Sequence, residues 1–263
     1  MYTSKEIKFL FNNGLSSLNI SSSPSVATNR HLSDMYVPSS HRAAIFNGNS
    51  ATIRITGNIN INTIALGGHN LTNVANVIFI GKYNGITTFT KTFTGYKKIY
   101  SYISDTIHLI NNLEIFINDS SCQYISISRL SGGVSFKPDI NIDWGLNIKT
   151  EEFNFSKERN YGGGLVFNKG SLYNVVNASL KNLKDEEAAY FIKFFKNIPV
   201  ASTYISFYPN WGNSLEELFE GFYSFTERPS ISHSNYYNYE MTFNVEESDV
   251  IDSSTPWSGG FNI

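Results

Sequence analysis

The stretch Ile59 to Ile80, ININTIALGGHNLTNVANVIFI, decides how the chain is read. Ile59 and Ile61, then Ile64 and Leu66, then the unbroken run Val77 to Ile80 have the spacing of two β-strands buried on at least one face. Between them GGHN marks a turn: Gly67 and Gly68 can take the positive φ of a sharp exit, and Asn70 and Asn73 can bond their own backbone two residues on. Working outward, Thr52 to Ile55 alternates as a strand does, and Asn84-Gly85 is a hairpin turn signal. Ile99 to Ile103, Leu113 to Ile117 and Tyr124 to Leu130 supply further strands. With Glu6 to Phe11, which ends on the turn cluster Asn12-Asn13-Gly14, they bring the count to about eight by Leu130, enough for a jelly roll.

The wording around this core resembles a known family. TIALGGHNL resembles the hallmark phrase of a galactose-binding-like jelly-roll module found in bacteriophage tail proteins. Upstream, SSSPSVATNRHLSDMYVPSSHRAAIFNGNSATIRITG is similar to that module's opening, and downstream YISISRLSGGVSFKPDINIDWGL is similar to the way the family leaves it. The resemblance continues to about Glu247 and implies a virion protein of the tail tip or baseplate, assembled in the host cytoplasm. The partners it implies are further copies of itself in a ring-like homo-oligomer, other tail proteins and a host-surface glycan. It carries no catalytic signature.

Composition agrees with a β-rich chain. Asn is more frequent than Lys and Arg together, which number 20, and 16 Tyr and 20 Phe accompany it. Asn, Ser and Gly feed turns while Ile, Phe, Tyr and Val feed strands. A formal net charge of −2 leaves no basic footprint for nucleic acid or anionic lipid. Cys122 is the single cysteine, so no internal disulfide or cysteine-based metal cluster can form. KFLF near the start is too short for a signal-peptide core, and no apolar run reaches the roughly 18 residues of a membrane span.

In the resembled module the loops gather at one mouth of the barrel, where a glycan or calcium ion is often held. The candidates here are His41, Arg42, Asn47, His69 and Asn70. Arg42 offers paired hydrogen bonds to sugar hydroxyls, and His69 with Asn70 adds short polar reach from a rigid turn. The structural alternative is that GGHN is turn chemistry and Arg42 a surface charge. Calcium fits poorly, because no acidic residue lies between Asp34 and Asp105 and such a site wants several oxygens, usually carboxylates. No metal or cofactor is expected.

The domains are read as a galactose-binding-like jelly roll over 1–131, a connector over 132–147, a tail-assembly β domain over 148–247 and a flexible arm over 248–263. Phe136, Pro138 and Trp144 are apolar residues in the polar connector, and Trp144 reads as a packing anchor or a sugar platform. Gly162-Gly163-Gly164 lacks the strand, Lys-Ser/Thr ending and helix of a phosphate loop, and reads as a flexible hairpin tip or a subunit-facing loop. KDEEAAYFIKFFKNIP gives one helix over 185–198, with Asp185 as cap, Glu186 and Glu187 in the first turn, and Ala188, Phe191, Phe195 and Ile198 as its apolar stripe. Strands, one helix, then strands describe an α+β domain whose sheet is packed by that helix. In the arm, Trp257 and Phe261 are candidate anchors on a neighbouring subunit.

Two functions follow from the sequence: a structural tail component that contributes to assembly and host attachment, and a glycan-binding module for host-surface recognition. Neither is an enzyme. A glycosidase would need two carboxyls facing each other across a cleft, and the acidic residues are sparse in the first half and sit at helix starts or edges in the second.

Overall fold

A computed structural model describes residues 7–11, 13–28, 30–36, 43–139, 147–153, 156–159, 165–168, 171–197, 203–207, 219–235 and 238–248. By its own contacts the chain divides into two units, Met1–Pro138 with Thr203–Phe222, and Asp139–Ser202 with Tyr223–Ile263.

The first unit is built on two long strands. β1 is Lys8–Leu10, β2 Asn19–Ser23, β3 Ala44–Asn47, β4 Ser50–His69, β5 Asn76–Tyr83, β6 Ile86–Thr94, β7 Tyr100–Asn118 and β8 Tyr124–Gly133. β4 and β7 pair antiparallel from Ser50↔Asn118 to Leu66↔Tyr100, with register irregularities between Thr56 and Ile59 and between Ile61 and Thr63. Before these irregularities β4 has β2 on its other edge, and after them it has β8. β7 likewise takes β5 along its second half, with β6 beyond it, while β3 lies outside β8. The strands therefore form two layers, β2-β4-β7-β5-β6 and β3-β8-β4-β7, and both long strands serve in both. This is a mainly-β sandwich of the jelly-roll kind.

The second irregularity, between Ile61 and Thr63, changes which side chains meet the core. Ala51, Ile53, Ile55 and Ile61 point inward at odd positions, whereas Ile64 and Leu66 do so at even ones. A bulge inserts a residue and reverses the faces, so the apolar period of β4 breaks without the strand ending. Inner faces of both layers, including Phe46, Val77, Phe79, Ile115, Ile117, Ile125 and Ile127, close into one core.

The end of β4 is buried on its other face too. There Ala65 joins Leu10, Ile99, Tyr204 and Phe222. β1 lies in that region, paired from Lys8↔Ser206 to Leu10↔Tyr204 with β13, Thr203–Phe207. Burial on both faces is why Ile64-Ala65-Leu66 is apolar throughout rather than alternating.

The sequence expectation of about eight strands by Leu130 matches the eight found up to Gly133, with a different composition. Thr52 to Ile55 and Ile59 to Leu66 belong to one strand, as do Ile99 to Ile103 and Leu113 to Ile117. β2 and β3 were not expected. Asn84 and Gly85 make the expected hairpin turn, both at positive φ, 50° and 82°.

The second unit carries β9 (Asn147–Phe153), β10 (Ser156–Arg159), β11 (Leu165–Asn168), β12 (Ser171–Leu183), helix α1 (Asp185–Asn197), β15 (Ser230–Asn235) and β16 (Asn238–Glu247). β12 lies between β9 and β16. The other side of β16 takes Tyr223 to Phe225 of β14 (Phe219–Phe225) and then β15. β10 and β11 form a separate hairpin, and the glycine run 162–164 lies outside the described residues.

α1 starts differently from expectation. The carbonyl of Lys184 accepts the first helical bond, from Ala188 N–H at 2.9 Å, so Lys184 is the cap rather than Asp185. Lysine has no oxygen to cap with, and Glu187 supplies the missing half by reaching back to accept from Lys184 N–H at 2.9 Å. The other oxygen of Glu187 accepts from Asp139 N–H at 2.7 Å. Ala188 and Phe191 are buried as the stripe requires, and Phe195 meets the sheet edge-on at Phe225, 5.1 Å between ring centres. Ile198 and Trp144 lie outside the described residues.

Candidate functional site

The turn that ends β4 is held almost wholly by side chains. Gly68 has φ +57°, and a Cβ there would fall 1.9 Å from Ser128 Oγ, which donates to the Gly68 carbonyl at 3.0 Å. Only glycine meets both demands. His69 follows. Its Nδ1 accepts from Leu71 N–H at 3.2 Å, so Nε2 carries the proton and donates to the Lys97 carbonyl at 2.9 Å. The ring leans on Tyr100, 5.0 Å away, and meets Tyr96 edge-on at 5.9 Å. Burial pushes the imidazole pKa down to about 4, against weaker opposing hydrogen bonds and the charge of Asp119. The ring is therefore neutral at physiological pH.

Asn70 bonds across the strands instead of to its own backbone two residues on; His69 makes the two-residue link. The Asn70 amide donates to the Tyr124 carbonyl and accepts from Ser126 N–H, both at 2.8 Å, so the side chain pairs with β8 where β4 has stopped. The Asn70 carbonyl accepts from Cys122 Sγ at 3.4 Å. Burial, with Asp119 nearby, pushes the Cys122 thiol up to about 11, which keeps it protonated at neutral pH.

Asp119 ties in the next loop. It is buried, and its carboxylate accepts from Thr72 N–H at 2.5 Å, Thr72 Oγ at 3.0 Å and Ser121 N–H at 3.0 Å. Burial alone would raise its pKa, but these bonds outweigh it and hold the carboxyl below its usual value. Backbone bonds complete the weave: Gly48 N–H to Gln123 O, Asp119 N–H to Asn49 O, and Gly95 N–H to Ala75 O. Segments 47–50, 70–75, 95–99 and 119–124 thus form one cross-braced end of the sandwich.

Of the sequence candidates, Asn47, His69 and Asn70 come together at this end. Asn47 is exposed and paired in register with Tyr124. His69 has both nitrogens engaged inside the protein, and each end of the Asn70 amide has an internal partner. His41, Arg42, Trp257 and Phe261 lie outside the described residues.

Two residues not singled out from sequence stand at the surface here: Tyr96 is 46 % exposed and Tyr124 48 %. Each hangs from the half-buried turn, Tyr96 against the His69 ring and Tyr124 by its carbonyl on Asn70. The signal was present. Tyr96 is an aromatic in a GYKK turn, and Tyr124 opens β8 out of phase with core residues Ile125 and Ile127. Partly exposed phenols on a braced backbone can stack on an apolar ligand face and hydrogen-bond with their hydroxyls. Among the described residues no group of three or more His, Cys, Asp or Glu side chains is placed to hold a metal ion.

No protein-family model matches the chain, and no curated protein matches it. Among solved structures it is similar to a Ruminococcus gnavus GH29 fucosidase in complex with fucose, at 12 % identity and TM-score 0.42, over 48 % of this chain and 28 % of that one. It is also similar to the lectin domain of lectinolysin complexed with Lewis B antigen, at 12 % identity and TM-score 0.38, over 46 % of this chain and 95 % of that one. A third is the family 32 carbohydrate-binding module from C. perfringens NanJ in complex with galactose, at 13 % identity and TM-score 0.37, over 48 % of this chain and 98 % of that one.

Proposed function

We propose that the first unit is a carbohydrate-binding module whose sugar rests on Tyr96 and Tyr124, with Asn47 beside them. What carries this reading is the pair of half-exposed tyrosines held by the half-buried His69-Asn70 turn. A rigid aromatic surface loses little entropy on binding, and the CH face of a pyranose is apolar enough to stack on it. The turn residues then act as the frame and the tyrosines as the contact. Binding rather than catalysis fits this chemistry, since a histidine with both nitrogens engaged is not free to take a proton and a thiol near 11 is not a nucleophile.

The full chain is expected to give reproducible hits on a glycan array. Tyr96→Ala and Tyr124→Ala should each weaken the best hit by about tenfold, roughly 1.4 kcal/mol, and Tyr96→Phe by much less. A double alanine variant that binds like the parent would remove the assignment, as would an array with no hits.

A second reading, compatible with the first, rests on the TIALGGHNL, opening and exit phrases of the sequence: the chain is a component of a bacteriophage tail tip, assembled with copies of itself and other tail proteins. Antibody labelling of purified virions tests it. Label at the distal end of the tail supports the reading, and particles free of the chain refute it.

A further inference from the structure

We infer that the sugar taken at this end is an anionic one, carrying a carboxylate, sulfate or phosphate; this rests on the carbohydrate reading above. The whole chain has a formal charge of −2, yet its candidate site has the opposite sign. In the four interlaced segments the charged side chains are Lys97, Lys98 and Asp119. Asp119 is buried, and its oxygens already accept from Thr72 and Ser121. It therefore faces no ligand, and the exposed cation of these segments is Lys97.

The backbone that carries it is braced together with that of the tyrosine beside it. The Lys97 carbonyl is the acceptor of His69 Nε2–H, and the segment is braced by Gly95 N–H on the Ala75 carbonyl and by Tyr100 hydroxyl on the Gly95 carbonyl. Lys97 itself is exposed and forms no ion pair among the described residues; Lys98 is half-buried next to it. The segment thus presents, in consecutive residues, a stacking ring and a cation. A neutral sugar would use the ring alone and leave the ammonium in water, whereas an acidic sugar places its charge where no carboxylate of these loops opposes it. Because Lys97 is exposed, the gain is moderate and sensitive to salt.

The test is an array of matched neutral and acidic glycans, followed by titration of the full chain with lactose, sialyllactose and sulfated lactose. Acidic members should dominate the hits and bind about five- to tenfold more tightly than their neutral cores at low salt. The gap should close at roughly 0.5 M salt and in Lys97→Gln, which should melt like the parent. Neutral glycans binding equally well with the same need for Tyr96 would overturn the charge preference and leave the carbohydrate reading standing. So would an acidic preference that survives in Lys97→Gln. An array with no hits would overturn both.

Discussion

Phe191→Ala is expected to destabilise the second unit by about 3–5 kcal/mol, the usual consequence of emptying a fully buried phenylalanine site. Phe191 has no exposed surface and lies stacked on Phe195 at 6.2 Å between ring centres, which in turn meets Phe225. The cavity left by truncation cannot close easily, because α1 is tied at its start by Glu187, bonded to both Lys184 and Asp139. A loss of that size is a large part of the roughly 5–15 kcal/mol that holds an ordinary domain. Urea unfolding followed by far-ultraviolet circular dichroism should show the second unit's transition moved to lower denaturant. Phe195→Ala should move it less, since that ring is only half-buried. An unchanged midpoint for Phe191→Ala would mean that the stripe faces a partner rather than the sheet.

The second large effect is a loss of stability in mild acid, centred on His69. Its folded-state pKa is depressed to about 4 from 6.5, because burial disfavours the imidazolium and Nδ1 is committed to accepting from Leu71. A histidine depressed in the fold lends its full stabilisation above the unfolded value and loses it as pH falls from about 6.5 towards 4, where the unfolded chain binds a proton that the folded one refuses. Between about pH 7.5 and 4.5 the first unit should lose roughly 2.5 kcal/mol from this group. Asp119, depressed as well, contributes above its unfolded pKa of 3.8 and gives way only as pH falls below that, so the two windows separate. His69→Gln should be less stable at neutral pH and should lack the fall between 6.5 and 4.5. A parent protein with flat stability across that range, or a glutamine variant that falls just as far, would show that the ring does not govern it.

Much of the frame was legible because burial leaves a period in the sequence. Val77 to Ile80, Leu113 to Ile117 and Tyr124 to Leu130 fall in strands, and KDEEAAYFIKFF carries its helix openly. What stayed hidden was continuity. A bulge inside β4 and a loop between two strands interrupt an apolar period in the same way, and only the partner strands tell them apart. β2, NISSS, has no apolar alternation to announce it, and β3 offers only AIFN, too short to show a period. The pairing of β1 with β13 joins residues nearly two hundred positions apart, which no local pattern encodes.

The site divides along similar lines. GGHN was readable as a turn because Gly68 needs its positive φ, but the partners of His69 and Asn70 come from distant segments, Lys97, Tyr124 and Ser126. Residue type alone suggested that these polar groups reach outward. The fold turns them inward and leaves the outward role to tyrosines whose exposure depends on strand phase.

Because the same two backbones run through both layers of the first unit, neither layer can melt while the other survives. Opening β4 beside β8 unzips the strand that also holds β2, and freeing β7 from β5 loosens the strand that closes the opposite sheet. Such a frame opens as one cooperative body, with Ile53 and Ile64 exchanging their amide hydrogens at a single free energy despite lying on different sheets. The braced tips are what remain free to drift in sequence, so surfaces that grip new molecules can be rewritten there without passing through a half-open intermediate.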